Sequence, residues 1–147
     1  GMKYQNAIVI NKPIATVIEL FDNPENMKHW QKGLQSFELI NGEAGQPGAI
    51  SKLIYQMGNR RVEMTETITE RNLPKVFAGI YEAKNVWNLI SNSFSDNGDG
   101  STTWVTETEF KFSGFMMKTI GLLMPGAFKK QSQKFLEDFK LFAESSN

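Results

Sequence analysis

The sequence predicts an α+β fold: a seven-stranded, strongly curved antiparallel sheet, two short helices near its start, and one long C-terminal helix, together enclosing a hydrophobic cavity. Three observations lead there. From Leu34 to Phe112 the chain runs as one alternating segment after another, separated only by turn chemistry. An Ile- and Val-rich segment, "YQNAIVINKP", opens the chain and reads as a further strand. The last residues carry Phe128, Ser132, Phe135, Phe139 and Phe142, a 4-3-4-3 spacing that puts them on one helical face.

The elements follow in order. Pro13 suits the first turn of a helix running to about Phe21. Asp22 or Asn23 can cap a second short helix that starts at Pro24 and stops at Gly33. Strands are expected over 34–41, 48–57, 60–71, 75–84, 86–95 and 102–112, with "NGEAGQPG", "GN", "NLP" and "NGDG" among the separators. Pro125-Gly126 interrupts the C-terminal helical segment, because proline inside a helix costs about 3 kcal/mol and glycine about 1 more. A short helix over Phe115 to Met124, a joint, and a long helix from near Phe128 to Ala143 are expected. The first piece is either a flap over the cavity mouth or a static corner closing one end of the core.

One hairpin can be put fully in register. A two-residue Gly58-Asn59 loop sets Met57 against Arg60, Tyr55 against Val62, Leu53 against Met64, Ser51 against Glu66 and Ala49 against Ile68. The strong apolar residues then share one face, and Arg61, Glu63, Thr65, Thr67 and Thr69 face water. Glu66 is the exception, a carboxylate on the apolar face. On the last strand Trp104, Thr106, Thr108, Phe110 and Phe112 share a side, so the inner face is apolar at both ends and hydroxyl-lined in the middle. A core packed only for stability has little use for such hydroxyls, since each buried one needs a partner. Pairing across Leu73-Pro74 brings Phe77, Gly79 and Tyr81 inward, with Gly79 opposite Glu66; pairing across "NGDG" brings in Trp87, Leu89, Ser91 and Ser93. A one-residue slip would reverse either assignment.

Several motifs occur together in order: the opening strand, "PIATVIELFDNPENMKHW", "GQPGA", "ITERNLP" before a strand, and "DGSTTWVTETEF" before the terminal amphipathic helix. Over essentially the whole chain this arrangement resembles the START-related polyketide cyclase/dehydrase-like family, whose helix-grip fold is shared with birch-pollen-allergen-like proteins. The resemblance implies a cavity between sheet and long helix used for hydrophobic ligands; the length suits a single ligand-binding domain over 2–147, and Gly1 before Met2 reads as a tag remnant. It does not fix a reaction, because members include carriers, cyclases, hydrolases and chaperone activators.

Composition narrows the functions. Sixteen basic and sixteen acidic residues cancel, so no global field draws the chain to nucleic acid or anionic membrane, and the pairs Arg60-Arg61 and Lys129-Lys130 are too short for basic patches and read as solvated surface. No stretch reaches the roughly 18 apolar residues of a membrane span, so stable membrane insertion is not expected. With no cysteine and no signal pattern, a cytoplasmic location is the expectation. There is no P-loop, G-x-G-x-x-G, G-x-S-x-G or H-E-x-x-H, and His29 is the single histidine. No metal or cofactor is therefore called for, and "DNGDG" reads as a hairpin turn rather than a calcium loop.

The candidate ligand-binding residues are Ser51, Leu53, Tyr55, Met64, Glu66, Tyr81, Trp104, Thr106, Thr108, Phe110, Met124 and Phe128. Glu66 is the candidate catalytic group. It either pairs quietly with Ser51, water or a lysine, or acts as a polar anchor and acid-base in an apolar cavity, with Tyr55 or Tyr81 supplying a phenol nearby. Three functions stay open: a binder or carrier of a small hydrophobic, lipid-like or aromatic ligand, a cyclase/dehydrase-type enzyme, and a protein-interaction module.

Overall fold

A computed structural model describes residues 1–146, so the last residue of the expected 2–147 domain lies outside the described residues. The alternating segments become β1 (Met2–Ile10), β2 (Leu34–Asn41), β3 (Ile50–Met57), β4 (Arg60–Asn72), β5 (Val76–Ala83), β6 (Val86–Asp96) and β7 (Thr102–Phe112). They form one seven-stranded antiparallel sheet in the order β1-β7-β6-β5-β4-β3-β2. Between β1 and β2 lie α1 (Ile14–Phe21), a 3₁₀ turn over Pro24–Asn26, and α2 (Met27–Trp30). Asn23 caps that turn, its Oδ1 accepting from the Glu25 N–H at 3.0 Å.

The β3–β4 hairpin has the expected register, Met57 opposite Arg60 and Ser51 opposite Glu66. The β4–β5 and β6–β7 hairpins depart from expectation. At the β4–β5 turn Asn72 pairs with Val76, and a bulge between Ile68 and Glu70 absorbs the odd residue. Phe77 and Tyr81 do point inward, but Glu66 faces Tyr81, and Gly79 faces Ile68 instead of Glu66. At the β6–β7 turn Asp96 pairs with Thr102, which leaves five residues, 97–101, in the loop. Asp99 Oδ1 accepts from the Ser101 N–H at 3.0 Å and from its hydroxyl at 2.5 Å, holding Ser101 in the loop. That one extra residue reverses the parity of β6. Asn88, Ile90, Asn92 and Phe94 face inward, while Trp87, Leu89, Ser91 and Ser93 do not. Trp87 instead lies on the outer face beneath Lys111, whose Nζ is 4.7 Å from the ring centre.

At the C-terminus α3 (Phe115–Leu123) and α4 (Pro125–Ser145) meet at Met124. The long helix starts three residues earlier than expected because Pro125 occupies its first turn, where the missing N–H would have had no helical partner. α4 presents Phe135, Leu136, Phe139 and Phe142 to the sheet and leaves Lys134 exposed. Lys134 bonds Asp138 at 2.8 Å as the spacing predicts, though Asp138 is itself buried rather than solvent-facing. β1 fastens this helix: the Tyr4 hydroxyl lies 2.8 Å from Ser132 Oγ, and the Asn6 amide donates to Gln133 Oε1 at 2.9 Å.

Packing divides the interior into three zones. At one end Phe139 makes edge contacts with Phe21, Trp30 and Trp104, and Phe94 stacks on Trp104. At the other end Phe110, Phe112 and Phe128 pack within 5.5 Å of one another. The threonine-lined stretch of β7 falls between them.

Candidate functional site

Between the two aromatic zones lies a cavity of about 360 Å³. The inner faces of β3 to β7 supply most of its wall, and α1, α2, β2 and α4 contribute the rest with the loops beside them. The wall is mainly apolar: Phe21, Met64, Ile68, Phe77, Ile90 and Phe135 contribute. Exposed members of the lining, Pro24, Ala44 and Met57, mark where it meets solvent, between the short helices and the tips of β2–β3 and β3–β4. An ion pair fixes that rim. Arg71 grips Asp22 with both guanidinium nitrogens, at 2.9 and 2.5 Å, and also donates to the Gly45 carbonyl.

Glu66 sits in the wall, 6 % exposed. Register alone puts it there, since the alternation that turns Met64 and Ile68 inward must turn it inward too. Its partner is Tyr81, directly across the ladder, whose hydroxyl donates to Glu66 Oε2 at 2.7 Å. Gly79 makes room beside that ring: a Cβ there would lie 3.4 Å from Tyr81 Cε2. Burial pushes the Glu66 carboxyl above its ordinary range, and the Tyr81 hydrogen bond pulls it partway back. Burial also raises the Tyr81 and Tyr55 phenols, with the nearby carboxylate adding to both. Tyr55 donates to Gln31 Oε1 at 2.6 Å, which ties α2 to β3 across the cavity.

Three further polar atoms of cavity-lining residues are buried and, among the described residues, have no partner: Thr106 Oγ1, Asn88 Oδ1 and Trp30 Nε1. In a packed core a polar atom left so would cost about 1–3 kcal/mol; in residues that line a cavity it can meet whatever fills that cavity. Trp104 differs, since its Nε1 donates to Asn92 Oδ1 at 3.0 Å. Such a site can hold an apolar body, recognise its oxygen atoms, and exchange a proton through Glu66.

Of the residues singled out from sequence, Ser51, Tyr55, Met64, Glu66, Tyr81, Trp104, Thr106 and Thr108 line this cavity. Four do not. Leu53 is wholly buried in packing, Phe110 and Phe128 belong to the neighbouring aromatic zone, and Met124 is 54 % exposed at the helix joint. The flap reading fails as well, because no residue of α3 touches the cavity. α3 leans instead on β7, with Gly121 so close to Phe112 that a Cβ would lie 2.7 Å from its ring. Sequence reasoning missed Asn88, Ile90 and Asn92, whose "N-x-I-x-N-x-F" alternation in β6 was the available signal. It also missed Gln31 and Phe135. His29 lies outside the cavity, stacked on Phe142 at 5.1 Å. Among the described residues, no group of three or more His, Cys, Asp or Glu side chains is placed to hold a metal.

The sequence profile of a family described as polyketide cyclase/dehydrase and lipid transport matches residues 2–144. The chain belongs to that family. No individually curated protein matches the sequence. Solved structures share the fold at low identity. A conserved protein from Geobacillus kaustophilus is 16% identical with a TM-score of 0.80, covering 97% of this chain and 95% of its own. The Zhui aromatase/cyclase from a Streptomyces species is 12% identical with a TM-score of 0.80, covering 97% and 93%. Ara h 8.0201 is 13% identical with a TM-score of 0.77, covering 98% of both chains. These establish a helix-grip fold, and the family brings with it a small-molecule partner in general terms.

The carboxyl–phenol pair yields a stability prediction. A carboxyl whose folded pKa is raised stabilises the fold fully only below its unfolded value, near 4.3, and that stability is lost as pH climbs toward the folded value. Glutamine keeps an acceptor for Tyr81 and cannot ionise. Glu66→Gln is therefore expected to be more stable than the parent at pH 7, by about 1.4 kcal/mol for each unit of raised pKa, and no more stable at pH 4. Urea melts at the two pH values check this; a variant less stable at pH 7 means the carboxylate is satisfied by charge.

Proposed function

We propose that this protein binds, and carries, one small hydrophobic or lipid-like molecule, its apolar body in the cavity and an oxygen function at Glu66 and Tyr81. The observation that supports this most is the combination of a mainly apolar cavity of about 360 Å³ with a single buried carboxyl–phenol pair in its wall. That volume falls in the ordinary range for ligand pockets, roughly 300–1,000 Å³. The ligand-binding residues in this reading are Ser51, Tyr55, Met64, Glu66, Tyr81, Trp104, Thr106 and Thr108. Titration with an environment-sensitive hydrophobic dye tests it. Saturation at one site per chain, reversed by competing fatty or aromatic acids, is the expected outcome; unsaturable or absent dye uptake overturns it.

A second reading has its own observation. The raised pKa of Glu66 and its bond to Tyr81 suit an acid-base pair for a cyclisation or dehydration, chemistry of the kind the Zhui aromatase/cyclase name denotes. Turnover of a poly-β-keto substrate with a bell-shaped pH profile, lost in Glu66→Gln, would favour the enzyme over the carrier.

A further inference from the structure

α3 spends little of its apolar surface on the fold. Met117, Ile120 and Gly121, at helical spacing, make its inner face and pack toward Phe112 and α4. The opposite face is left in solvent: Phe115 is 89 % exposed, Met116 74 %, Leu122 79 % and Leu123 72 %, with Met124 following at the joint. Among the described residues, half of the exposed large apolar side chains thus fall within 115–124. A soluble surface does not otherwise concentrate them so. Pro125 opens α4 as a separate helix, and α4 leaves that outer face uncovered.

The charge along this stretch of the chain is one-sided. Between Phe110 and Leu136 the chain has five lysines, at 111, 118, 129, 130 and 134, and no acidic residue, although the whole chain is neutral. Lys118, Lys129 and Lys130 are exposed and, among the described residues, form no ion pair. Lys118 borders Leu122 on the helix surface, four residues away. We infer that α3 is a docking helix that lies on the surface of an anionic phospholipid bilayer, its apolar face in the acyl boundary and its lysines among the headgroups. Apolar exposure and local positive charge are the two requirements of an interfacial helix, and α3 with the start of α4 supplies both. A second copy of the chain is the poorer occupant, because the same lysines would face each other across the contact. The neutral whole molecule means that the attraction is local and acts only within about 8–10 Å. At nine residues α3 can lie in the interface and cannot span it. The docking does not depend on the ligand reading, since α3 lends nothing to the cavity wall.

Sedimentation with vesicles tests it. The protein should pellet with vesicles of equal parts phosphatidylcholine and phosphatidylserine, stay free of pure phosphatidylcholine, and be released by high salt. Leu122→Asp with Leu123→Asp should lower partitioning at least about tenfold, and Lys129→Glu with Lys130→Glu should lower it comparably. Both pairs are exposed, so dye uptake and thermal melting should be unchanged. In the parent, the mixed vesicles should slow amide exchange over 115–124 selectively, a readout that needs no variant. Equal binding to both vesicle types, no binding, or unchanged exchange in α3 overturns the inference. So does a dimer in sedimentation velocity that the leucine pair dissolves.

Discussion

Thr106→Phe is expected to abolish uptake of a hydrophobic dye while leaving the protein folded. Thr106 lies mid-strand in β7, 4 % exposed, between Asn6 on β1 and Asn92 on β6. Its hydroxyl is one of the three buried polar atoms of the wall without a partner, so replacing it sacrifices no hydrogen bond. A phenyl ring there enters open volume, where a packed core would charge about 1–3 kcal/mol for the extra bulk. Binding should fall by at least about tenfold, as expected when contacts worth over 1.4 kcal/mol are displaced. Dye bound as tightly as by the parent would place the site elsewhere.

Phe139→Ala should have the largest effect on stability. The side chain is fully buried and touches Phe21, Trp30, Trp104 and Phe142, so it joins α4 to α1, α2 and β7 at one point. Removing it costs the transfer term plus the cavity left behind, about 3–5 kcal/mol. Against a total of about 5–15 kcal/mol this is a large share, and the melting temperature should drop by roughly 10 °C or more. A loss below about 1 kcal/mol would mean that α4 is held mainly by its hydrogen bonds to β1.

Much of this arrangement can be read from the chain, and the failures have distinct physical origins. The β3–β4 register was legible because Gly58-Asn59 leaves little choice of loop length and both strands alternate cleanly. That placed Ser51, Tyr55, Met64 and Glu66 on one face. β6 was misread because a single hydrogen-bonded residue, Ser101, belongs to the loop rather than the strand, and side-chain parity turns on one residue. The β4 bulge is equally silent in sequence, and it decides that Tyr81 meets Glu66. Leu53, Phe110 and Phe128 show another limit. Alternation tells which face a residue takes, whereas depth along a curved strand decides whether it meets cavity or packing. Gln31 was invisible for a third reason, since α2 is one turn long and its placement over β3 is set entirely by tertiary contacts. Pro125-Gly126 announced the helix break clearly, and proline's tolerance for a first turn moved the long helix's start.

The most direct measurement is native mass spectrometry of the protein equilibrated with a total lipid extract, beside the same sample denatured and beside Thr106→Phe. The 16.6 kDa chain should carry one small molecule that survives dilution, leaves on denaturation and is missing from the variant. A bare chain under all three conditions, or the same adducts on parent and variant, would contradict a ligand site between the two aromatic zones.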